Sequence, residues 1–173
     1  MPRLARSVRL FPDEELGSVF ELDPARLKGA GKRGIIFDLD NTLGRRGVQE
    51  VERPVAELLV RLEQEGFLIG ILSNDEGIGR LAKLDGYPIY FNAQKPRRRG
   101  FRQLLREMDL RPEEAVMVGD NLFTDIWGAK RLKIYAILVQ PVDPREPFHI
   151  RLVRLAARLI LSFRRLAWWR RAS

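Results

Sequence analysis

Hydrophobic and polar positions follow two alternating patterns along most of the chain. Short runs that are apolar on both faces and rich in branched or aromatic residues are typical of buried parallel strands. Between them, apolar residues recur at helical spacing. The strand-like runs cover residues 34–39, 67–72, 89–91, 115–119 and 135–139. The helical spacing predicts helices over residues 54–65, 76–85, 98–108 and 124–131.

The order of these elements indicates an α/β fold. Strands that alternate with helices favour a doubly wound sheet with helices on both faces. We therefore expect a three-layer α/β/α Rossmann-like sandwich around a five-stranded, mainly parallel sheet. The core should occupy residues 34–140, after a basic, amphipathic lead-in (1–33) and before a basic, amphipathic C-terminal helix (141–173).

Composition narrows the class of protein. The chain has 173 residues, of which 45% are hydrophobic, so it can bury the core of one domain. It has no cysteine, which excludes disulfides, zinc–thiolate sites and thiol catalysis. We find neither a signal-peptide pattern nor the ~20 consecutive apolar residues that a membrane-spanning helix needs. The expectation is a soluble or surface-attached protein of the cytoplasm.

The net charge of +8 is unevenly distributed. Residues 148–173 contain seven arginines and no acidic residue, and residues 1–10 contain three arginines. The stretch 11–147 has 21 basic and 23 acidic residues, so it is close to neutral. A nucleic-acid enzyme is more often basic around its active site. Basic ends instead favour attachment to an anionic surface, with a membrane as the leading candidate and nucleic acid disfavoured.

Chemically capable side chains follow the predicted strands. Ligands of doubly wound sheets bind beyond the carboxyl ends of the strands, so residues at these positions should share one crevice. They are Asp38, Asp40 and Thr42 after the first run, Ser73 and Asn74 after the second, Lys95 after the third, and Asp120 and Asp125 after the fourth.

This set of residues indicates phosphoryl chemistry with magnesium. Clustered carboxylates repel one another, and hard oxygen ligands favour Mg²⁺, which often binds substrate phosphate. A carboxylate can attack phosphorus and form an acyl phosphate. Asp40 would then protonate the leaving group and later activate water. Lys95 and Ser73 would bind the transferring phosphoryl oxygens.

Four segments resemble, in order, the motifs of the haloacid dehalogenase superfamily. They are Phe37-Asp38-Leu39-Asp40-Asn41-Thr42-Leu43, Ser73-Asn74, Lys95-Pro96, and Gly119-Asp120 with Asp125. The resemblance implies that Asp38 is the nucleophile and Asp40 the acid/base. It implies that Mg²⁺ is held by the Asp38 carboxylate, the Asp40 backbone carbonyl and Asp120, with Asp125 as ligand or support. Phosphate binding is expected from Thr42, Ser73, Asn74 and Lys95.

Two features narrow the subgroup that the chain resembles. The dehalogenases lack an acid at the position of Asp40, whereas the phosphatases have one. The segments between motifs are too short for a large cap domain. The chain thus resembles the capless subclass IIIA, YqeG-type phosphatases, which are similar to the mitochondrial phosphatidylglycerophosphate phosphatases. This resemblance implies a substrate in phospholipid biosynthesis, phosphatidylglycerophosphate, and phosphatidylglycerol as the product.

The C-terminal segment 148–171 is amphipathic if helical. Leu152, Leu159 and Phe163 belong to its apolar stripe, arginines lie towards the other side, and Trp168 and Trp169 come near the end. This pattern favours a helix lying in a membrane surface, which would make the protein peripheral on the inner face of the membrane. Packing of this helix on the domain or on a second subunit is the alternative.

Other interpretations stay open. The chain could be a soluble sugar-phosphate or nucleotide phosphatase, or a basic adaptor that binds RNA or ribosomes. Asp125 could merely cap a helix. The arginines next to the motifs could contact substrate or simply be solvated: Arg45, Arg46, Arg97, Arg98 and Arg99. His149, the only histidine, lies outside the motifs and is not expected to be catalytic.

Overall fold

The structure, a computed structural model, describes residues 10–46, 51–76, 84 and 86–143. Its centre is a six-stranded sheet in the order β1-β6-β5-β2-β3-β4, in which every pairing is parallel. The strands are β1 (Glu14–Leu16), β2 (Gly34–Phe37), β3 (Leu68–Leu72), β4 (Ile89–Tyr90), β5 (Ala115–Gly119) and β6 (Tyr135–Val139). The predicted parallel α/β sheet is confirmed, with one more strand than expected.

The additional strand, β1, lies in the segment that we predicted as a lead-in. Its sequence, Glu-Glu-Leu, lacks an apolar run, because an edge strand need not be buried on both faces. Asp13 joins it to β6. The Asp13 backbone N–H donates to the Ala136 carbonyl at 2.8 Å, and its carboxylate accepts from the Ala136 N–H at 2.8 Å. Lys130 donates to the other carboxylate oxygen at 2.6 Å.

Four α-helices accompany the described strands: α1 (Pro24–Gly29), α2 (Arg53–Gln64), α3 (Arg98–Glu107) and α4 (Trp127–Lys130). The predictions for 54–65 and 98–108 are confirmed to within one residue as α2 and α3. The helix predicted over 124–131 is instead a π-helical turn, Leu122–Ile126, followed by the short α4. Short 3₁₀ turns cover Val19–Glu21 and Pro112–Glu114. The helix predicted over 76–85 lies almost entirely outside the described residues.

Helix α2 shows how the periodic pattern becomes packing. Pro54 lies in the first turn, where its missing N–H costs no hydrogen bond. Leu58, Leu59 and Leu62 are at most 3% exposed and belong to the core cluster. Burial of each such side chain contributes about 1.5–3 kcal/mol, so the apolar face of α2 fixes it against the sheet.

The chain divides into two compact units, Met1–Asp143 and Pro144–Ser173. The first contains the sheet. The second, with the amphipathic helix predicted over 148–171, lies outside the described residues. Between β2 and β3, the described residues form α2 and connecting loops. None of the helices in the described part of the chain is long and apolar enough to cross a membrane.

Candidate active site

The carboxyl ends of three neighbouring strands bring the predicted residues to one edge of the sheet. Strand β2 lies between β3 and β5, and Phe37 is paired with Ile71 and Val118. The next backbone N–H, that of Asp38, donates to the Val118 carbonyl at 2.9 Å. Asp38, Ser73 and Asp120 therefore follow adjacent strands at nearly the same level, as expected for a ligand site in a parallel sheet.

The loop after β2 folds back on Asp38. Its turn is closed by the Leu39 carbonyl, which accepts from the N–H groups of Leu43 at 3.1 Å and Gly44 at 3.3 Å. Asn41 has a φ of 62°, a left-handed conformation that asparagine tolerates better than most residues. The turn lets the Thr42 hydroxyl donate to Asp38 Oδ2 at 3.0 Å. Thr42, predicted to bind phosphate, thus directly orients Asp38.

Lys95 forms buried ion pairs with two carboxylates. Its Nζ lies 2.5 Å from Asp38 Oδ1 and 2.7 Å from Asp125 Oδ1. All three residues are at most 6% exposed. Buried charges are costly unless they are paired and hydrogen-bonded, so these side chains depend on one another to be charged. The site residues predicted from three separate segments therefore form one connected cluster.

The ionisation of this cluster reflects its burial. Burial raises the pKa of Asp38, Lys95 lowers it, and the carboxylates of Asp125 and Asp120 raise it again, to about 8. Burial alone would lower the pKa of Lys95, but Asp125 and Asp38 raise it above its ordinary value. Lys95 is therefore protonated, while Asp38 competes with two other carboxylates for a single positive charge.

The donor set fits a divalent cation. Carboxylate oxygens of Asp38, Asp120 and Asp125 lie within 4.8 Å of one another, and all three residues are buried. Lys95 supplies one positive charge to these three carboxylates, so further positive charge is needed before all three can be ionised together. Hard oxygen ligands around excess negative charge suit Mg²⁺. Asp40, two residues after Asp38, is half-buried and forms a β-bridge with Gly44. Its carboxylate is not one of the three clustered groups.

The two carboxylate oxygens of Asp125 have different partners. One of its oxygens pairs with Lys95, and the other accepts from the Asn121 backbone N–H at 3.1 Å. Asn121 itself caps the π-helical turn, because its Oδ1 accepts from the N–H groups of Phe123 and Thr124. A Cβ at Gly119 would come within 2.6 Å of Asp125, so only glycine fits there.

Asn121 was not predicted, although an asparagine just before a helical segment is a recognised capping signal. In the sequence, Gly119 is noticeable only as part of the motif Gly119-Asp120. The packing against Asp125 supplies the physical reason for a glycine at that position.

Ser73 and Asn74 have different environments. Ser73 is fully buried at the end of β3, and its Oγ accepts from the Asp75 N–H at 3.1 Å. The Asn74 side chain contacts the backbone of Lys95: Oδ1 accepts from its N–H at 2.6 Å, and Nδ2 donates to its carbonyl at 3.2 Å. The structure therefore brings Asn74 to Lys95 rather than to the carboxylate cluster.

The arginines beside the motifs lie mainly on the surface. Arg45 and Arg46 are exposed after the Asp40 loop, and Arg99 is exposed on α3. Arg97 is exposed and donates to Gln94 Oε1 at 2.6 Å. Arg98 is half-buried. His149 lies outside the described residues. Contact of these arginines with substrate stays a prediction.

Comparison with protein families identifies the class. The model of the haloacid dehalogenase-like hydrolases matches residues 45–133, just over half of the chain. This range contains Ser73, Lys95, Asp120 and Asp125, and it begins after Asp38 and Asp40. The chain belongs to the haloacid dehalogenase-like hydrolase family.

Curated relatives define the enzyme more closely. "Probable phosphatase YqeG" of Bacillus subtilis (strain 168) is 35% identical over 159 residues, which cover 88% of this chain and 90% of the relative. Glyceraldehyde 3-phosphate phosphatase of Pyrococcus furiosus is 34% identical over 43% of this chain and 35% of its own length. Phosphatidylglycerophosphate phosphatase 1, chloroplastic, of Chlamydomonas reinhardtii is 31% identical over 77% of this chain and 54% of its own length. The protein is a phosphatase.

Solved structures agree on the fold. An uncharacterized protein from Listeria monocytogenes serotype 4b is 27% identical to this chain, with a TM-score of 0.53. The match covers 66% of this chain and 85% of the other. The Rossmann-like fold predicted from the order of strands and helices is thereby confirmed.

Proposed function

We propose that this phosphatase is a Mg²⁺-dependent phosphomonoester hydrolase that forms an aspartyl phosphate on Asp38. One observation carries the proposal: three buried carboxylates and one buried lysine meet at the carboxyl edge of the sheet. In this cluster Lys95 holds one oxygen of Asp38 and Thr42 holds the other. Such fixed orientation is what a nucleophile needs for in-line attack.

The first half-reaction transfers the phosphoryl group to Asp38. An oxygen of the Asp38 carboxylate forms a bond to phosphorus while the bond from phosphorus to the leaving oxygen breaks. Asp40 donates a proton to that oxygen, so the product leaves as an alcohol. Its half-buried position, two residues beyond Asp38, suits a group that must meet substrate at the opening of the site.

The second half-reaction restores the enzyme. Asp40, now ionised, accepts a proton from water, and the water oxygen attacks phosphorus. The bond between phosphorus and Asp38 breaks, which releases inorganic phosphate and regenerates the carboxylate. One residue thus serves as acid and then as base. Asp40 regains in the second step the proton that it donated in the first.

The charges of the site set the electrostatics of both steps. Mg²⁺ held by Asp38, Asp120 and the Asp40 backbone carbonyl, with Asp125 nearby, would neutralise negative charge on the carboxylates and the phosphoryl oxygens. Lys95 stabilises phosphoryl charge from the other side, and it lowers the pKa of Asp38 and so favours the ionised form. Ser73, whose hydroxyl hydrogen remains to be donated, would bind a phosphoryl oxygen.

For the substrate we propose phosphatidylglycerophosphate, which would be converted to phosphatidylglycerol. Support comes from the algal relative that carries this activity in its name and aligns with 77% of this chain. The basic chain ends, including seven arginines in residues 148–173, suit an enzyme that works on an anionic lipid. A site without a large cap can admit a head group that is still attached to its membrane.

Phosphate release tests the substrate. Phosphatidylglycerophosphate in mixed micelles is compared with a panel of soluble phosphomonoesters, each with Mg²⁺ or with EDTA. A strong preference for the lipid that requires Mg²⁺ supports the proposal in full. Activity that persists in EDTA with a metal-free protein contradicts the magnesium assignment.

A soluble phosphatase of sugar phosphates is the second candidate. The observation that favours it is the archaeal glyceraldehyde 3-phosphate phosphatase, which matches 43% of this chain at 34% identity. Glyceraldehyde 3-phosphate therefore belongs in the soluble panel. Activity confined to soluble esters would retain the mechanism and replace the lipid substrate.

Attachment to an anionic membrane through residues 148–173 is a separate proposal with its own test. Vesicles of phosphatidylglycerol should co-sediment the full chain at low salt, whereas phosphatidylcholine vesicles should not. Replacement of Arg154, Arg158 and Arg165 by glutamine should weaken binding by about 1 kcal/mol for each arginine near the surface. Equal binding to both kinds of vesicle contradicts electrostatic attachment.

A further inference from the structure

We infer that Asn74 is a positioning residue that acts through Lys95. Its side-chain amide holds the backbone of Lys95, and the Lys95 ammonium group in turn contacts Asp38 and Asp125. This inference rests on the proposed function of Lys95. It differs from the phosphate-binding role that the sequence leads us to expect for Asn74.

The contact uses both kinds of hydrogen-bonding group of the amide. Asn74 Oδ1 accepts from the Lys95 N–H at 2.6 Å, and Nδ2 donates to the Lys95 carbonyl at 3.2 Å. A neutral primary amide can accept and donate in this way at once, whereas a carboxylate can only accept. The two bonds together restrain both the position and the rotation of the Lys95 backbone.

The loop that carries Lys95 needs such restraint. Just before Lys95, Asn92 and Gln94 have φ values of 49° and 52°, in the left-handed region. Residues in this region persist when their surroundings over-determine them. The backbone groups of Lys95 find their partners in the Asn74 side chain, and partners are required when such groups are removed from water.

The backbone on both sides of Asn74 is itself held by hydrogen bonds. The backbone continues the pairing of β3 beyond its end: the Ser73 N–H donates to the Tyr90 carbonyl at 3.0 Å, and the Ala93 N–H donates to the Ser73 carbonyl at 2.9 Å. The Asn92 N–H donates to the Asp75 carbonyl at 2.9 Å. Asn74 therefore extends from a hydrogen-bonded backbone, so its side chain can hold the Lys95 backbone in place.

The loop that carries Lys95 is also held by Arg131, which directly follows helix α4. Arg131 Nη1 donates to the Pro96 carbonyl at 3.2 Å, and the Arg131 guanidinium lies 5.0 Å from the Trp127 ring. The backbone is thus held by Asn74 at Lys95 and by Arg131 at the next residue, Pro96. The Lys95 ammonium group has to lie within hydrogen-bond distance of two carboxylates, a geometry that small backbone shifts would disturb.

The second N–H of the Asn74 side-chain amide could donate to phosphate, so direct contact with the substrate is the competing role. A double-mutant cycle distinguishes the two roles. Asn74→Ala is measured in the wild-type chain and in Lys95→Met, which keeps the side-chain stem and removes the ammonium group. In the wild-type background we expect kcat to fall about 10–100-fold with KM nearly unchanged. In the Lys95→Met background we expect no further loss.

The opposite result overturns the inference. An equal fold-loss in both backgrounds means that Asn74 acts on the substrate without Lys95. If turnover by Lys95→Met is too slow to follow, the affinity for orthovanadate with Mg²⁺ replaces kcat in the same cycle. If Asn74→Ala does not fold, Asn74→Asp, which keeps the acceptor and loses the donor, takes its place.

Two controls distinguish a failure of this inference from a failure of the proposed role of Lys95. Glu76→Gln changes an exposed side chain two residues after Asn74 and should leave kcat and Tm unchanged. Near-wild-type activity of Lys95→Met would overturn the proposed role of Lys95, and this inference with it. A large loss in Lys95→Met together with additivity in the cycle overturns the inference on Asn74 alone.

Discussion

Two ion pairs of nearly equal length lie in contrasting regions of the molecule. Lys95 Nζ is 2.7 Å from Asp125, and these side chains are 2% and 1% exposed. Lys28 Nζ is 2.6 Å from Glu65, and these side chains are 44% and 45% exposed. Both pairs join an ammonium group to a carboxylate at nearly the same distance, so burial is the main difference between them.

Burial decides what each pair can do. Water and salt screen the surface pair, which joins the end of α1 to the end of α2 and stabilises the fold little. The buried pair has no solvent to replace a lost partner, so removal of one charge leaves the other uncompensated. It also faces a third charge, Asp38, whose pKa it helps to set. Burial turns an ordinary ion pair into part of a site that can do chemistry.

The largest effect is expected from Asp38→Asn. An amide cannot serve as the nucleophile, so phosphate release should fall by a factor on the order of 10⁴ or more. The measurement is Mg²⁺-dependent phosphate release, with mass spectrometry to exclude deamidation back to aspartate. Activity above about a hundredth of wild type, a level far from the loss typical of nucleophile removal, would contradict the assignment.

The next largest effect should follow from Lys95→Met. Loss of the ammonium group removes transition-state stabilisation and should lower kcat about 10²–10³-fold. Without Mg²⁺ it also leaves buried carboxylates uncompensated, which should cost about 3–5 kcal/mol of unfolding free energy. Activity assays and denaturant unfolding in EDTA measure the two effects. An unchanged unfolding free energy would mean that the carboxylates are not charged together.

A smaller effect is expected on the thermal stability of the protein, which should depend on both pH and Mg²⁺. Because the pKa of Asp38 in the folded, metal-free protein is about 8, above its ordinary 3.8, its contribution to stability is complete below about 3.8 and is lost as the pH rises through 8. Between pH 5 and 8 the Tm of the metal-free protein should therefore fall more steeply than that of Asp38→Asn.

The same shift predicts how Mg²⁺ acts on stability. A metal that binds ionised Asp38 competes with the proton, so the rise in Tm on addition of Mg²⁺ should be larger at pH 8 than at pH 5.5. Thermal unfolding of both variants with and without Mg²⁺ measures this. A rise in Tm that is independent of pH would exclude Asp38 as a titrating ligand.

The smallest effect should come from Lys28→Met, which matches Lys95→Met on the surface. The exposed pair is screened, so neither kcat nor Tm should change by more than the error of the measurement. Thermal unfolding at low and high salt, beside the activity assay, provides the check. A loss comparable to that of Lys95→Met would mean that burial is not what separates the two pairs.

The fold was predictable wherever a buried strand or helix leaves an apolar pattern in the sequence. The strands β2 to β6 and the helices α2 and α3 were found from their apolar patterns, because central strands and packed helix faces must be hydrophobic. The edge strand β1 lacks that pattern, and its pairing depends on contacts of Asp13 with β6 and Lys130, far away in sequence. The π-helical turn at Leu122–Ile126 likewise depends on side-chain bonds of Asn121 and Asp125.

The order of strands and polar residues along the chain is enough to predict which side chains can meet. Asp38, Ser73 and Asp120 directly follow strands, and the carboxyl ends of parallel strands share one edge of the sheet. Which atoms are in contact is visible only in the folded protein. Lys95 lies between Asp38 and Asp125, and Asn74 holds the backbone of Lys95. These contacts depend on the conformations of loops that lie far apart in the chain, and the spacing of residues does not encode such conformations.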